Sequence, residues 1–579
     1  MIRSIKSAGI LKNFFPNKYK NFIRYQSTNV KICKTNGIIR TSPYGEISIP
    51  EITLDKYVWK NVNRWSNKVA TLCVATGRQY TFAELRDATA AFASSLRHKF
   101  YLQPHDLMAI CLPNVPEYPI AVLGAHEAGL LTSLMNPMYN ADEIARQLIM
   151  CNTKLIICTP SNYQEIKKAC EIGKKNIPIV CIPFLKEQNN PEGAVNFFEI
   201  INSKNFEYIQ STVLKPEDIA VIPFSSGTTG LAKGVTLTHK NIVSNCEMVQ
   251  TKLPTEQYVR ETTDNFQDVI PCFLPFFHIY GLTICMMSKL HLGCQLVTFP
   301  KFTPQDLITS LTKHNGSLLN LAPPVLLMLT NSPNIKCDHF KSLRFVMTGA
   351  APVGLTDAER FLSKFPNVSL SQGYGLTETS PAVILTPIGN TKYDSVGFPL
   401  PKTEIKIIPY QGSDFKGLEK HKSGEICIRG PQVMKGYLNN PEADADIFLP
   451  DSWLRTGDIG HYDDEGFFFI TDRIKELIKV KGFQVPPAEL EQLLRDHPKI
   501  LDAAVFGITD SKSGEAPRAL VVMKPGENLK EEEVISYVAK KVAPYKQLTG
   551  GVLFVNEIPK NAGGKILRRE LKEKYGHKK

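Results

Sequence analysis

Apolar and polar positions along this 579-residue chain follow two different periods. Between residues 81 and 99 the apolar Phe82, Leu85, Ala88, Phe92 and Leu96 recur every three or four positions, which places them on one face of a helix. Short apolar runs follow at 107–112, 155–158, 179–182, 219–222 and 345–347. Runs of that length suit strands covered on both faces, and their alternation with helical stretches predicts α/β layers with largely parallel sheets. After Ser395 the texture changes to short strands and turns, at 404–408 and 425–429 among others, predicting a small β-rich subdomain. Beyond Asp472 the chain is charged, with helices expected near 487–497 and 530–542. The expected organisation is a leader at 1–45, a large domain at 46–472, a hinge at 473–475 and a small α+β domain at 476–579.

Composition supports a chain of several subdomains, each large enough to bury a core: 43% of residues are hydrophobic and 21% charged. No run of 18 apolar residues occurs, and the most apolar window, 272–287, contains Pro275 and His278, so no transmembrane segment is expected. The net charge of +12 is unevenly spread. Nine Lys/Arg residues and no Asp or Glu lie before Glu46, so the remainder carries only +3 (12 less 9), and no nucleic-acid partner is expected. The basic, acid-free leader, with Ile2, Ile5, Leu11, Phe14 and Phe15 suited to one helix face, has the features of a mitochondrial transit peptide, with a cleavage region around Arg24 to Ser27 and the matrix as destination. The 13 cysteines are scattered without Cys-x-x-Cys or Cys/His ligand spacing, which argues against a zinc site or a disulfide framework.

The strongest chemical signal is a loop after the apolar run at 219–222: Ser225, Ser226, Gly227, Thr228, Thr229, Gly230, Leu231, Ala232, Lys233, Gly234. Glycines let backbone N–H groups approach phosphate oxygens, hydroxyls add donors, and Lys233 adds positive charge. The spacing is not that of a Walker A loop. The segment resembles the signature of the adenylate-forming superfamily, which comprises acyl- and aryl-CoA ligases, adenylation domains and beetle luciferases. That family more often has proline where this chain has Ala232. The resemblance extends from about residue 49 to 571, with later motifs in the family's order.

The resemblance implies a role for each of these motifs. In Gln372, Gly373, Tyr374, Gly375, Leu376, Thr377 and Glu378, Tyr374 stacks near adenine, Thr377 contacts phosphate and Glu378 helps to hold Mg²⁺ with the ATP phosphates. Gly349, Ala350 and Ala351 offer backbone to the adenine. Asp458, in Thr456-Gly457-Asp458, accepts from the ribose diol, Arg473 serves the ribose or phosphate, and Lys475 is the hinge. Lys565, in Asn561-Ala562-Gly563-Gly564-Lys565, stabilises charge as pyrophosphate leaves. His278 stands between the carboxylate pocket and the CoA channel, while Tyr280, Pro324, Thr348, Gly373, Pro381 and Ala382 surround the acyl group.

The stretch from Lys475 to Glu491 is similar to that of 4-coumarate–CoA ligases and related acyl-CoA synthetases. There Lys479 and Gln484 meet the adenylate in one of two conformations, and Lys481, Gly482 and Phe483 line the approach of the CoA thiol. The implied reaction forms acyl-AMP and pyrophosphate from ATP and a carboxylic acid, after which the small domain swings and CoA displaces AMP. The leader favours a medium- or long-chain fatty acid, with an aryl-propenoate as the alternative. A luciferase-like oxidase and a non-catalytic nucleotide-binding relative are further alternatives. Retention of Lys233, Glu378, Asp458, Arg473 and Lys565 together speaks against the last.

Overall fold

Strand pairing gathers the described residues into five sheets. The structure, a computed structural model, describes residues 30–33, 37–185, 187–203, 206–209, 214–225, 232–251, 258–351, 353–390, 392–409, 414–481, 483–510, 512–561 and 564–577. The expected helix runs Phe82–His98, with Thr81 as its cap: the Thr81 hydroxyl accepts from Glu84 N–H, and Glu84 reaches back to Thr81 N–H. Its predicted apolar face is buried.

The runs Leu107–Ile110, Leu131–Leu134, Leu155–Cys158, Ile179–Cys181 and Ile219–Ile222 are parallel neighbours in the nine-stranded sheet, with Lys233–Thr238 added antiparallel. A five-stranded sheet places Leu318–Leu321, Phe345–Thr348 and Ser369–Gly375 in parallel, then turns back through Ala382–Leu385. Residues just past strands of both sheets, Asn136 and Pro223 in one and Gly349 and Leu376 in the other, line a common cavity, and strand ends are where ligands bind in open α/β sheets. The β-rich subdomain is a seven-stranded antiparallel sheet containing Glu404–Ile408, Gly424–Arg429, Trp453–Tyr462 and Phe468–Arg473.

A small domain begins at the hairpin Ile478–Val480 and Phe483–Val485 and continues through Pro487–Arg495, the long pair Ile500–Asp510 and Gly514–Met523, and Glu531–Ala539. Its buried apolar clusters draw only on residues from 478 onward, so it carries its own core. A small domain with that property can change position without opening the large one.

One expectation changes. The leader is expected to span 1–45, yet Val30–Cys33 and Gly37–Thr41 form a hairpin whose second strand pairs Arg40 with Ile405 and Thr41 with Glu404. Ile39 is buried against Ile408, Cys427 and Trp453, Lys31 bridges Glu404 at 2.9 Å, and Arg40 lies over the Tyr462 ring. Basic charge marks the stretch as leader-like, but β-branched residues flanking a glycine turn take it into the sheet. The expected cleavage region lies outside the described residues. No helix among the described residues is long and apolar enough to cross a membrane.

Two histidines buried in the large domain give the fold an acid-sensitive joint. His239 Nδ1 accepts from Leu54 N–H at 3.1 Å, and His126 Nε2 contacts the Ala220 carbonyl at 3.0 Å; the rings meet edge to face, 4.9 Å apart. Those bonds leave His239 Nε2 and His126 Nδ1 without partners among the described residues. Burial lowers both pKa values below 6.5, His239 well below, with the neighbouring His126 lowering it further and Asp55 opposing the shift at His126. The unfolded chain therefore binds protons that the fold refuses, and stability present above pH 6.5 is lost as pH falls below it. His239→Asn keeps an acceptor for Leu54 and removes the titration. It should reduce the slope of unfolding free energy against pH by up to about 1.4 kcal/mol per pH unit below 6.5, measured by urea melts between pH 7.5 and 5.5. An unchanged slope would assign the acid sensitivity to other groups.

Candidate active site

A cavity of about 760 Å³ opens where the two α/β sheets, the β-rich subdomain and the small domain meet. Ser225 and Lys233 line one side as register partners of the hairpin Phe224–Ser225 and Lys233–Thr238. Between them, Ser226, Gly227, Thr228, Thr229 and Gly230 lie outside the described residues. Thr348, Gly349 and Ala350 line it from the end of Phe345–Thr348, and Gly373, Tyr374, Gly375, Thr377 and Glu378 from the end of Ser369–Gly375. Arg473, Lys475 and Lys565 close the side nearest the small domain, and His278, Tyr280, Pro381 and Ala382 also contribute. Residues from most of the motifs, far apart in the chain, thus share one cavity.

Glu378 is buried, and its Oε1 accepts from the Tyr437 hydroxyl at 2.9 Å. Its Oε2 has no hydrogen-bond partner among the described residues. One free carboxylate oxygen on a side chain that lines the cavity fits Mg²⁺, which takes few protein ligands and completes its shell with substrate oxygens and water. No group of three or more His, Cys, Asp or Glu suited to a metal occurs among the described residues, so a cation here would need substrate oxygens.

Lys565 reaches the cavity from a tight turn. Its N–H donates to Asn561 Oδ1 at 2.9 Å, Lys560 and Ile566 form a bridge, and Gly564 has φ of +81°, which favours glycine. Its ammonium is 3.8 Å from Glu476, which Arg568 also binds at 2.9 Å. Burial, and then Arg473, pull the Lys565 pKa down, while Glu476 and Asp458 oppose them. His278 Nδ1 accepts from Tyr280 N–H at 3.3 Å, and burial lowers the ring's pKa, so the neutral tautomer carries its proton on Nε2.

Several expected site residues lie elsewhere. Asp458 is buried behind the cavity wall, bound by the Tyr374 hydroxyl at 2.8 Å and by Arg473 Nε at 2.9 Å; Gly457 and Arg473 face the cavity instead. Gln372 is turned away: its side chain binds the backbone of Val353 and Tyr393, so it ties those two segments together. Ala351 is not among the lining residues, and Pro324 packs against Gly564 of the lysine loop rather than the acyl pocket. Lys479 and Gln484 are cross-strand partners on the small-domain hairpin, outside the cavity. Lys481 is exposed, Phe483 is exposed and stacks on Tyr545 at 4.5 Å, and Gly482 lies outside the described residues. Lys565 thus lines the cavity, while the hairpin of Lys479 and Gln484 lies outside it.

Sequence reading missed Tyr437, and also Glu425 and Arg455, which pair at 2.6 Å on the cavity wall while Gly457 N–H donates to Glu425 at 3.1 Å. Arg455 directly precedes Thr456-Gly457-Asp458, a signal that was available. Tyr437 carries no such signal, because it is set beside Glu378 by contacts that form only in the folded chain, strand pairing among them.

Comparison with known proteins finds relatives over most of the chain. The AMP-binding enzyme family model matches residues 58–438, and the model of the AMP-binding enzyme C-terminal domain matches 489–565. A probable 4-coumarate–CoA ligase of Dictyostelium discoideum is 37% identical over 92% of this chain and 97% of its own. A 4-coumarate–CoA ligase of Nicotiana tabacum is 37% identical over 94% and 98%. The crystal structure of ATP-bound MatB from Rhodopseudomonas palustris superimposes with a TM-score of 0.79 at 25% identity, covering 91% of this chain and 99% of that one.

Proposed function

This chain belongs to the AMP-binding enzyme family and is an ATP-dependent, AMP-forming acid–thiol ligase using Mg²⁺ and CoA, and from that premise we propose that its acid is a compact planar carboxylate of the aryl-propenoate class. The observation that carries this reading is the apolar part of the cavity wall. Phe277, Ile279, Ile284, Met347 and Leu385 form it, without a charged side chain to meet a second ionic group. The Tyr280 hydroxyl is tied to the Met347 carbonyl at 3.3 Å, and its ring lies so close to Gly349 that a Cβ there would be 3.2 Å from Cε1. A Cβ at Gly373 would meet Leu385 at 2.7 Å. Both glycine backbones are therefore covered by neighbouring side chains, and a cavity of about 760 Å³ must hold the nucleotide as well as the acid. The similar 4-coumarate ligases support the same choice over the fatty acid that the leader favoured.

In this reading Ser225 and Lys233 face the phosphates, Gly349 and Ala350 the adenine, and Tyr374 and Arg473 the ribose side. Lys565 neutralises charge that builds on the α-phosphate as the carboxylate attacks and pyrophosphate departs. Mg²⁺, when bound at Glu378, supplies positive charge to the phosphates. Neutral His278 donates from Nε2 to the acid's carboxylate, and the small domain then exchanges Lys565 for the hairpin of Lys479 and Gln484.

The test is CoA-dependent AMP release across a panel of acids. A kcat/KM for coumarate, or a related aryl-propenoate, at least about tenfold above that of every medium- or long-chain fatty acid is expected; one extra decade corresponds to about 1.4 kcal/mol of transition-state discrimination. Faster turnover of any fatty acid would overturn the substrate reading and leave the reaction class intact.

A further inference from the structure

Two charged groups of the site, Glu378 and Lys233, meet at one aromatic side chain outside both of their motifs. Tyr437 belongs to the two-residue strand Gly436–Tyr437, which pairs antiparallel with Thr236 and Val235 of the strand that begins at Lys233. The Tyr437 hydroxyl donates to Glu378 Oε1 at 2.9 Å, and Lys233 Nζ stands 4.7 Å from the centre of its ring. An ammonium at that distance over a phenol face is held by the ring quadrupole, and a hydroxyl bond to a carboxylate is among the stronger kinds.

The tyrosine is itself held firmly. Its N–H donates to Asp444 Oδ1 at 2.7 Å, Leu438 N–H donates to the Gly234 carbonyl at 2.8 Å, and the Thr236 hydroxyl donates to the Gly436 carbonyl at 2.6 Å. A Cβ at Gly436 would lie 2.7 Å from Asp444 Oδ2, so the carboxylate of Asp444, on the short helix Pro441–Ile447, packs directly over this glycine. On the other side, Met434 N–H donates to the Glu378 carbonyl at 2.8 Å, which ties the two segments together by backbone as well. Burial and the adjacent Glu378 both raise the phenol's pKa, so the hydroxyl stays a donor throughout the physiological range.

We propose that Tyr437 is the positioning residue for the divalent cation. Its hydroxyl anchors one oxygen of Glu378 so that the other faces the ATP phosphates, while its ring holds the Lys233 ammonium beside them. This rests on the reading of the cavity as the ATP site with Glu378 as the cation's protein ligand. A carboxylate free to rotate would spend part of its time with neither oxygen aimed at the metal. A neutral donor removes that freedom without cancelling the negative charge that the metal needs.

Direct binding separates this role from a general one. Mn²⁺ serves as the probe, with the full-length chain titrated by Mn²⁺–ATP and followed by electron paramagnetic resonance, and with metal-free AMP titrated in parallel. Tyr437→Phe keeps the ring and loses the hydroxyl. It should weaken Mn²⁺–ATP about tenfold and leave AMP within about twofold, with an unchanged melting temperature. Tyr437→Leu also loses the ring, and should in addition weaken metal-free ATP by about threefold, the share owed to Lys233. Mn²⁺–ATP binding unaltered in Tyr437→Phe, or AMP weakened as much as Mn²⁺–ATP, would overturn the proposal while the ATP site stands. Failure of the unsubstituted chain to bind Mn²⁺–ATP would overturn the ATP-site reading and the proposal with it.

Discussion

Lys565→Ala is expected to slow acyl-adenylate formation by about a thousandfold while leaving thioester formation from supplied acyl-AMP within about threefold. The ammonium is carried into the cavity by a loop whose geometry does not depend on it: the Asn561 side chain and the Lys560–Ile566 bridge engage backbone. Truncation should therefore remove charge without refolding the loop. Its cavity neighbours include Arg473, which cannot take over because Asp458 already holds it at 2.9 Å. The second half-reaction needs no charge on a departing pyrophosphate, and in the rotated small domain Lys565 would have left the cavity. The measurements are ATP–pyrophosphate exchange and single-turnover thioester formation from synthetic acyl-AMP. Lys479→Ala and Gln484→Ala should give the reciprocal result, because their hairpin lies outside the cavity while adenylation takes place. Equal loss of both half-reactions in Lys565→Ala would show that the lysine supports the site rather than the chemistry.

Gly281→Ala should be as damaging by a different route. The backbone winds into a π-helix over Tyr280–Met287, and a Cβ at position 281 would lie 2.1 Å from the Pro275 carbonyl oxygen and 2.9 Å from that of Leu274. Backbone atoms cannot rotate out of the way as a side chain can, so the turn itself must move. That carbonyl of Pro275 also accepts from His278 N–H at 3.1 Å, and Leu282 N–H donates to the His278 carbonyl at 3.0 Å. Displacing it would shift both His278 and Tyr280. A loss of about 3–5 kcal/mol in unfolding free energy is expected, with both half-reactions reduced by at least about a hundredfold, read from urea melts and the same two assays. A stable, active Gly281→Ala protein would show that the π-helical turn relaxes at little cost.

How legible these features were depends on the range of the interaction behind them. The strands at 155–158 and 219–222 and the helix after Thr81 stood out because each is set by local periodicity or a local cap. Glycines and hydroxyls near a lysine marked one side of the cavity for a similarly local reason. Gln372 and Pro324 were misplaced because a motif specifies where the backbone runs and leaves the direction of a side chain to its neighbours. Gln372 turned toward Val353 and Tyr393, and Pro324 toward the lysine loop, since those partners lie within reach only in the folded chain. The hairpin at Val30–Cys33 and Gly37–Thr41 was hidden by its charge, because its pairing partner is more than 360 residues away.

By itself, then, the amino-acid sequence determined the α/β layering, the separate small domain and the class of reaction, all of which stem from local pattern and from motifs whose chemistry travels with the residues. Tertiary structure decided the rest. It turned Asp458 from a cavity group into a buried partner of Tyr374 and Arg473, placed Lys565 rather than Lys479 at the site, and set Tyr437 between Glu378 and Lys233. The physical reason is that each of these placements depends on how strands pair or how the small domain sits, and side chains come within reach of one another only once the chain has folded.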